Sequence, residues 1–313
     1  MRSSWTRSPG SAPTSSCPES DQIPVGLTTV TSPSGLESSD SAEPTAGRRR
    51  APWPFKVAAA VVRPAMNGLM GKEWVGLETL PSNGYIAVAN HVSEADPVAV
   101  AHAVYRAGHT PHFLAKDSLF TIPLLGRLMR GLQQVPVARA DRRESQKSLE
   151  AAHEVLAQRG CIIIYPEGTL TRDPELWPMR CKSGAARLAL ATGAPLIPIS
   201  QWGVQEFLGP YAKLPRIIPR PRYRLRVGRE IDLSDLRGGP LTRSVLADAT
   251  ERVEAALTSG VAELRGEDPP EGIWDRGARC RVPRNQSSAA GRGKKPRHEE
   301  SPTEPAAGEG EER

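Results

Sequence analysis

The sequence predicts an α/β fold, a single-domain α/β sandwich in which helices flank a mixed central sheet. Short apolar runs such as YIAVA (85–89) and CIIIY (161–165) alternate with stretches of helical periodicity. A run that is apolar and β-branched throughout is typical of a central strand covered on both faces. The chain has 313 residues, of which 38% are hydrophobic and 24% charged, so it is long enough for one sizeable core with tails.

The other elements follow in chain order. A helix is expected from Pro97 to about Arg106, because Asp96 followed by Pro97 is a typical helix start. The stretch ESQKSLEAAHEVLAQRG has apolar residues at helical spacing and Gly160 as its C-terminal stop. The further predicted elements are strands at 112–116, 135–138, 195–200 and 223–228, the last near a sheet edge, and helices at 183–193 and 241–264.

Both ends of the chain are predicted to be disordered tails. Residues 1–50 are rich in Ser, Pro, Thr and Gly, and such a segment cannot bury enough apolar surface to offset its ordering entropy. Residues 276–313 form a basic block followed by a glutamate-rich terminus, and blocks of like charge are usually solvated. The folded domain is therefore expected at 73–275.

Residues 51–72 are predicted to form an amphipathic helix at a membrane surface. Three arginines precede a stretch in which apolar and aromatic residues mix with Lys56 and Arg63, which fits the interface of an anionic membrane. The alternative is an ordinary helix docked on the core.

No apolar run approaches the ~18 residues needed to span a bilayer. The four cysteines form no C-x-x-C pair, so a disulfide framework is not expected and a reducing cytosolic compartment fits better. We therefore expect a peripheral protein on the cytoplasmic face of the cell membrane.

The stretch ANHVSEADP places His91 just after the strand at 85–89 and Asp96 at the start of the next helix. The turn between them can fold the two side chains together, although residues five apart do not stack along one helix face. A carboxylate beside an imidazole fixes its tautomer, and the other ring nitrogen can then act as a general base. The alternative is a turn histidine that bonds to backbone, with Asp96 only a helix cap. The same H-x4-D spacing recurs from His112 to Asp117, but there a strand separates the two residues.

Two further strands end in loops that could bind a ligand, since ligands lie beyond the carboxyl ends of the strands in such folds. In YPEGT, the turn lets Gly168 take a positive φ and brings backbone N–H groups close to a ligand. Glu167 would then accept from a hydroxyl or orient a neighbour, and the alternative is a plain turn with a solvated glutamate. In VPVAR, Arg139 is suited to bind a phosphate through charge-assisted bidentate bonds.

Four short blocks occur in a fixed order through the middle of the chain. They are NHVSEAD, LLGRLMRGLQQVPVAR, YPEGTLTR and APLIPIS, the last of which contains Pro198. Together they resemble the four blocks of the phospholipid/glycerol acyltransferase family, in particular its lysophosphatidate acyltransferase branch, over roughly 74–230. Each block alone is weak to moderate evidence, but their order and spacing favour the family. The order also selects His91 over His112, which falls in a gap of the pattern.

The resemblance implies a role for each matching residue. His91 would deprotonate the glycerol hydroxyl of lysophosphatidate, Asp96 would orient it, and the oxygen would attack the carbonyl of an acyl thioester to give phosphatidate. Arg139 would bind the acceptor phosphate. Further substrate contacts are implied for Glu167, Gly168, Thr169, Arg172, Lys182 and Pro198. The resemblance implies no metal and no cofactor, with acyl-CoA or acyl-carrier protein as co-substrate, and no nucleic-acid partner.

Two departures from the family pattern concern the acceptor. Many relatives carry an arginine directly after Glu-Gly-Thr, whereas this chain has Leu170 there and Arg172 two residues later. The second block usually has an aromatic and an acidic residue near its arginine, and this chain has neither. A second hypothesis is therefore the same chemistry on another lysolipid or a glycolipid. A remote third is a non-catalytic protein that binds membrane or nucleic acid through the basic stretch 279–297, which lacks aromatic residues for base stacking.

Overall fold

A seven-stranded sheet forms the centre of the residues that the computed structural model describes, 52–137 and 142–284. Its strands are β1 (Gly71–Val75), β2 (Tyr85–Ala89), β3 (Pro111–Lys116), β4 (Val135–Val137), β5 (Cys161–Ile164), β6 (Leu196–Trp202) and β7 (Arg222–Val227). The helices are α1 (Trp53–Leu69), α2 (Asp96–Arg106), α3 (Pro123–Gly131), α4 (Arg142–Ala157), α5 (Gly184–Thr192), α6 (Val204–Phe207) and α7 (Arg243–Arg265). The predicted N-terminal tail, residues 285–313 of the predicted C-terminal tail and Arg139 lie outside the described residues.

The strand order is β1-β7-β6-β2-β5-β3-β4. Neighbouring strands are parallel except for β6 and β7, which pair antiparallel. The sheet is therefore mixed, which confirms the predicted fold class.

Strand β2 lies in the middle of the sheet and is buried along its whole length. Ile86 and Val88 pack into one apolar cluster, whereas Tyr85, Ala87 and Ala89 pack into another. Successive side chains of a strand point to opposite faces, so a strand with a core on each side needs an apolar residue at every position. This explains why the stretch shows no polar alternation.

Helices cover both faces of the sheet. Apolar residues of α1 and α2 join the cluster around Tyr85 and Ala87. Residues of α4, α5 and α7 join the cluster around Ile86 and Val88. Each fully buried aliphatic side chain contributes about 1.5–3 kcal/mol to the folded state, so the two clusters together fix the position of β2 and of the turn that follows it.

Helix α1 docks on the core with one face and leaves an apolar stripe on another. Phe55 and Met66 are buried, and the Phe55 ring meets His112 edge to face at 5.5 Å between centroids. Trp53, Val57 and Val61, which are four residues apart, are exposed. Among the described residues, no helix combines the length and the apolar character that crossing a bilayer requires.

The structure differs from the predicted boundaries at both ends of the domain. The first helix ends at Leu69, and β1 follows as the parallel edge partner of β7, which is therefore the second strand from the edge. The folded part also continues past 275 into a hairpin of β8 (Ile273–Asp275) and β9 (Cys280–Val282).

The hairpin is held by charge pairs that its composition alone does not reveal. Arg281 donates from Nε and Nη2 to the two oxygens of Asp173, each at 2.8 Å, and Asp173 is buried. Arg180 forms an ion pair with Asp275 at 3.1 Å. A fixed bidentate pair to a buried carboxylate holds an arginine far more firmly than solvent does, so this part of the basic stretch is folded.

Candidate active site

The candidate site lies where the carboxyl ends of β2 and β5 meet. The two strands are parallel neighbours, with Val88 paired to Ile164. His91 and Glu167 follow these paired residues by the same number of positions, so they emerge side by side. The backbone N–H of His91 donates to Oε1 of Glu167 at 3.0 Å. The sheet thus brings together two of the three predicted loops.

The structure brings the side chains of His91 and Asp96 into contact. Nδ1 of His91 lies 2.9 Å from Oδ2 of Asp96. The same carboxylate oxygen accepts the backbone N–H groups of Val92 at 2.6 Å and Ser93 at 2.8 Å. Asp96 is completely buried, and the His91 side chain is 17% exposed. The carboxylate is therefore fixed inside the turn, while the imidazole reaches the surface of the site.

Two opposing effects act on Asp96. Burial raises the pKa of this carboxyl, because desolvation disfavours the charged form. The hydrogen bonds from His91, Ser93 and Val92 act against this rise, because they favour the carboxylate. With Nδ1–H donated to Asp96, Nε2 of His91 carries the lone pair, which is the tautomer that a general base requires.

Asp96 does not cap its helix as the sequence predicted. Helix α2 begins at Asp96 itself, with Ala95 as the N-cap residue, and Pro97 follows in the first turn as expected. The carboxylate turns back to the N–H groups of Val92 and Ser93, which precede the helix. Those two donors and the imidazole together offer more than the single N–H bond of a cap, so the side chain organises the turn instead.

The main chain and the ring of His91 are held by two residues outside the predicted site, Thr171 and Tyr165. The backbone N–H of Thr171 donates to the His91 carbonyl at 2.7 Å. The Tyr165 ring stacks on the imidazole with 4.2 Å between centroids and 23° between planes. The aromatic residue before Pro166 was the available sequence signal for this contact.

A second set of bonds joins the His91 turn to β6. Asn90 Nδ2 donates to the Gln201 carbonyl at 3.0 Å, and the Gln201 N–H donates to Asn90 Oδ1 at 2.8 Å. Gln201 Nε2 donates to the Asn90 carbonyl at 2.9 Å. Both side chains are fully buried. Removing either amide would leave buried polar atoms without partners, which costs about 1–3 kcal/mol per group.

Glu167 is committed to the protein main chain. It is 1% exposed, and while Oε1 accepts from His91, Oε2 accepts the N–H of Met179 at 3.1 Å. Burial raises the pKa of this carboxyl to about 8, although the two N–H donors act against the rise. The solvated-glutamate alternative is excluded, and the contacts of Glu167 link the β5 turn to the His91 turn.

The rest of the β5 turn contains the other predicted contacts. Gly168 has φ +74°, and a Cβ at this position would lie 2.7 Å from Nζ of Lys182, so the lysine side chain covers the glycine. Thr169 is half-buried and Arg172 is exposed. Leu170 is buried, so the residue that directly follows Glu-Gly-Thr turns inward.

Pro198 lies within the sheet next to β2. Pro198 belongs to β6 and is paired with Val88 of β2, and its carbonyl accepts the N–H of Gly228 at 2.8 Å. Proline lacks the donor that a central strand normally uses, and it is tolerated here because the antiparallel pairing of β6 with β7 begins one residue later, at Ile199.

The second H-x4-D pair does not form a contact of this kind. His112 lies inside β3, is almost fully buried and has Nδ1 2.9 Å from the Gln133 carbonyl. Asp117 follows the end of the strand, at the start of a 3₁₀ turn, and is exposed. Burial lowers the pKa of His112, because desolvation disfavours the imidazolium.

The part of the chain that forms the site resembles known acyltransferases. Residues 73–202, which include all the candidate site residues, match the model of the protein family described as Acyltransferase. The crystal structure of the 1-acyl-sn-glycerophosphate acyltransferase PlsC from Thermotoga maritima has a similar fold, with a TM-score of 0.51 and 26% sequence identity. The match covers 69% of this chain and 81% of that chain.

The chain is also similar to proteins named 1-acyl-sn-glycerol-3-phosphate acyltransferases. A chloroplastic enzyme of Brassica napus is 32% identical over 135 residues, which are 42% of this chain and 38% of that protein. The enzyme of Saccharomyces cerevisiae is 32% identical over 126 residues, 40% of this chain and 41% of that protein. The chain thus spans well under half the length of these relatives.

Proposed function

We propose that the protein transfers a fatty acyl group from an acyl thioester to the glycerol hydroxyl of lysophosphatidate, which yields phosphatidate for phospholipid biosynthesis. The observation that carries the proposal is the His91–Asp96 pair at the carboxyl end of β2, with the carboxylate fixed by two backbone N–H groups. The names of the similar proteins support the choice of acceptor.

In the proposed reaction, Nε2 of His91 accepts the proton of the acceptor hydroxyl while the oxygen attacks the thioester carbonyl. The new C–O bond gives a tetrahedral oxyanion, whose collapse breaks the C–S bond. The imidazolium then returns its proton to the leaving thiolate, so the enzyme ends unchanged and no covalent intermediate on the protein is needed. Asp96 holds the ring through Nδ1 and stabilises the imidazolium between the two proton transfers.

The co-substrate in this proposal is acyl-CoA or acyl-carrier protein, without a metal or a bound cofactor. Arg139 and Lys182 are the proposed phosphate contacts, and Thr169 and Arg172 contribute to the acceptor side of the site. Glu167, Gly168 and Pro198 act on the acceptor through the shape of the turn and the sheet, because the carboxylate of Glu167 is taken up by backbone N–H groups.

A second candidate acceptor is another lysolipid or a glycolipid. The buried side chain of Leu170 and the exposed side chain of Arg172 favour this possibility, because a cation in the third block is displaced relative to many relatives. The chemistry at His91 is the same for either acceptor, so only a substrate panel separates them.

We also propose that the protein acts as a peripheral protein on the cytoplasmic face of the membrane. The exposed stripe of Trp53, Val57 and Val61 on α1 supports this, since apolar side chains at helical spacing bind the headgroup interface. Washing isolated membranes with alkaline carbonate tests it, because a peripheral protein is released and an integral one is retained.

Transfer of a labelled acyl group from acyl-CoA to lysophosphatidate in lipid vesicles tests the proposed reaction. The unaltered protein is expected to form phosphatidate, and His91→Ala is expected to lose the activity. His153→Ala is the matched control, because His153 is exposed on α4 away from these contacts. Full activity of His91→Ala would refute the mechanism. Activity only with other acceptors would support the second candidate.

A further inference from the structure

The loop that joins α6 to β7 has an unusual surface. In this loop, which we call the 208–221 loop, every residue from 211 to 220 is exposed. Its exposed residues include large apolar side chains, with Leu214 81% and Ile218 87% exposed, and also Tyr211 and Ile217. Exposed clusters of apolar side chains mark sites that interact with proteins or membranes.

The charge of the same loop has one sign. Lys213, Arg216 and Arg220 alternate with the apolar residues, and the sequence contains no carboxylate between Glu206 and Glu230. Apolar side chains mixed with cations and without acidic residues match the interface of an anionic bilayer, where the apolar groups enter the acyl boundary and the cations meet phosphates.

Hydrogen bonds place this loop beside the candidate active site. At its start, Ser93 Oγ donates to the Leu208 carbonyl at 2.7 Å, and the Tyr211 N–H donates to Oε2 of Glu94 at 3.3 Å. Ser93 also donates its backbone N–H to Asp96. The loop therefore begins in contact with the turn that holds the His91–Asp96 pair.

The other end of the loop is attached to helix α1. Nη2 of Arg220 donates to the Asn67 carbonyl at 2.6 Å and to the Met70 carbonyl at 3.2 Å. These two carbonyls belong to the C-terminal end of α1, where helix carbonyls lack intrahelical partners. The loop thus runs from the His91 turn to the C-terminal end of α1, the helix with the exposed stripe of Trp53, Val57 and Val61.

We propose that the 208–221 loop is a membrane-docking surface, which inserts Leu214, Ile217 and Ile218 into the interface of an anionic phospholipid bilayer beside the active site. The proposal rests on the proposed function only in that the acceptor is a lipid. It gives the loop a definite task, because a site docked on the bilayer through its own rim meets the acceptor at the membrane surface.

Binding of the full chain to vesicles tests the proposal directly. The vesicles consist of phosphatidylcholine alone or of phosphatidylcholine mixed with phosphatidylglycerol. The triple variant Leu214→Ser, Ile217→Ser, Ile218→Ser is expected to bind both kinds of vesicle at least about tenfold more weakly, since three apolar side chains no longer enter the interface. The matched control is Leu241→Ser, another exposed apolar residue.

A second variant separates the charges from the apolar residues. Lys213→Gln with Arg216→Gln is expected to weaken binding to the anionic vesicles by about 30-fold and to leave binding to pure phosphatidylcholine unchanged. Arg220 is left intact because it holds α1. The control is Arg237→Gln with Arg243→Gln, two exposed cations outside the loop. Unchanged binding of the serine variant would overturn the proposal, whatever the charge variant does.

The acyl-transfer rate distinguishes this proposal from the proposed function. The serine variant is expected to be slower on lysophosphatidate in vesicles and as fast as the unaltered protein on a short-chain lysophosphatidate dissolved as monomers. If neither the unaltered protein nor the serine variant transfers acyl groups, but the variant still binds vesicles more weakly, the docking surface stands and the proposed function fails. If both substrates are affected equally while binding is unchanged, the loop acts in the site and the docking proposal fails.

Discussion

The chain contains two His–Asp pairs with the same sequence spacing and opposite structural roles. His91 and Asp96 flank a turn, and their side chains meet at 2.9 Å. His112 lies inside β3, and Asp117 follows the end of that strand. The four residues between His91 and Asp96 can fold back on themselves, whereas an extended strand separates its ends by about 3.3 Å per residue. The element between the two residues, and not their spacing, decides whether a pair can form.

The surroundings of the two histidines differ in the same way. His91 is partly exposed at the carboxyl end of the central strand β2, and the contacts with Asp96 and Tyr165 hold its ring in one orientation. His112 is enclosed by Phe55 and by the carbonyl of Gln133. A histidine that reaches the surface of a cleft can exchange protons with a substrate, whereas an enclosed one contributes packing and a hydrogen bond. This difference predicts separate effects on activity and on stability.

The largest expected effect is that of Asp96→Asn. The neutral amide binds the three N–H donors more weakly than the carboxylate does, and it no longer stabilises an imidazolium at His91. We expect the acyl-transfer kcat to fall by about 10²–10⁴-fold. The matched variant Asp117→Asn, in the exposed member of the second pair, is expected to leave kcat unchanged. Equal kcat values for the two variants, measured with acyl-CoA and lysophosphatidate, would remove the distinction between the pairs.

The next effect in size is that of Glu167→Gln. An amide can accept the N–H of only one of His91 and Met179, and its NH₂ group then faces the other N–H. Leaving one buried donor without a partner costs about 1–3 kcal/mol. Denaturant unfolding above about pH 8, where Glu167 is a carboxylate, should show this loss of stability. Because the His91 turn is then held less firmly against the turn after β5, kcat should fall by about tenfold, with Asp96 still in place.

A smaller effect, confined to stability, is expected for His112→Ala. The variant loses the contact with Phe55 and the hydrogen bond to Gln133, which together contribute about 1–2 kcal/mol. The activity per folded molecule should be unchanged. Thermal unfolding measured beside acyl transfer separates the two quantities. A loss of kcat without a loss of stability would assign His112 to the site and contradict its structural role.

Much of the fold could be predicted from the sequence where local patterns decide. The ends of β2 and β5 follow from apolar runs that stop at turn residues. Strand β1 could not be predicted, because Lys72 and Glu73 make it look like a loop, and it exists through its pairing with β7. The β8–β9 hairpin could not be predicted either, because its basic composition is typical of a tail and the bond from Arg281 to Asp173 spans 108 residues.

The site shows the same division. That His91 and Asp96 could meet follows from a short turn between a strand and a helix. The main-chain contacts of Glu167 could not be inferred, because they depend on the register of β2 against β5 and on the path of the chain to Met179. Bonds of this kind depend on tertiary structure, and a single sequence contains no local pattern for them.

The smallest expected effect, on the pH dependence of stability, sharpens the contrast between Glu167 and a second buried glutamate. Glu254 on α7 is buried, and its Oε1 accepts the N–H of Cys181 at 2.6 Å. Burial raises the pKa of Glu254 to about 7, although the Cys181 N–H, Arg180 and Arg284 act against the rise and Glu251 adds to it. An amide can accept the single N–H as well as a carboxylate does, so Glu254→Gln, unlike Glu167→Gln, should keep the fold and kcat intact.

The sign of the pH effect follows from the raised pKa of Glu254. Below the ordinary glutamate value both the folded and the unfolded protein hold the proton, and as the pH rises the unfolded chain releases it first. The contribution of this group to the free energy of unfolding is therefore fully present at low pH and is lost as the pH rises through about 7. Glu254→Gln lacks this loss, so its stability relative to the unaltered protein should increase between about pH 4.5 and about pH 7. Denaturant titrations across this range measure the difference, and a decrease instead would mean that Arg180 and Arg284 outweigh desolvation and hold Glu254 as a carboxylate.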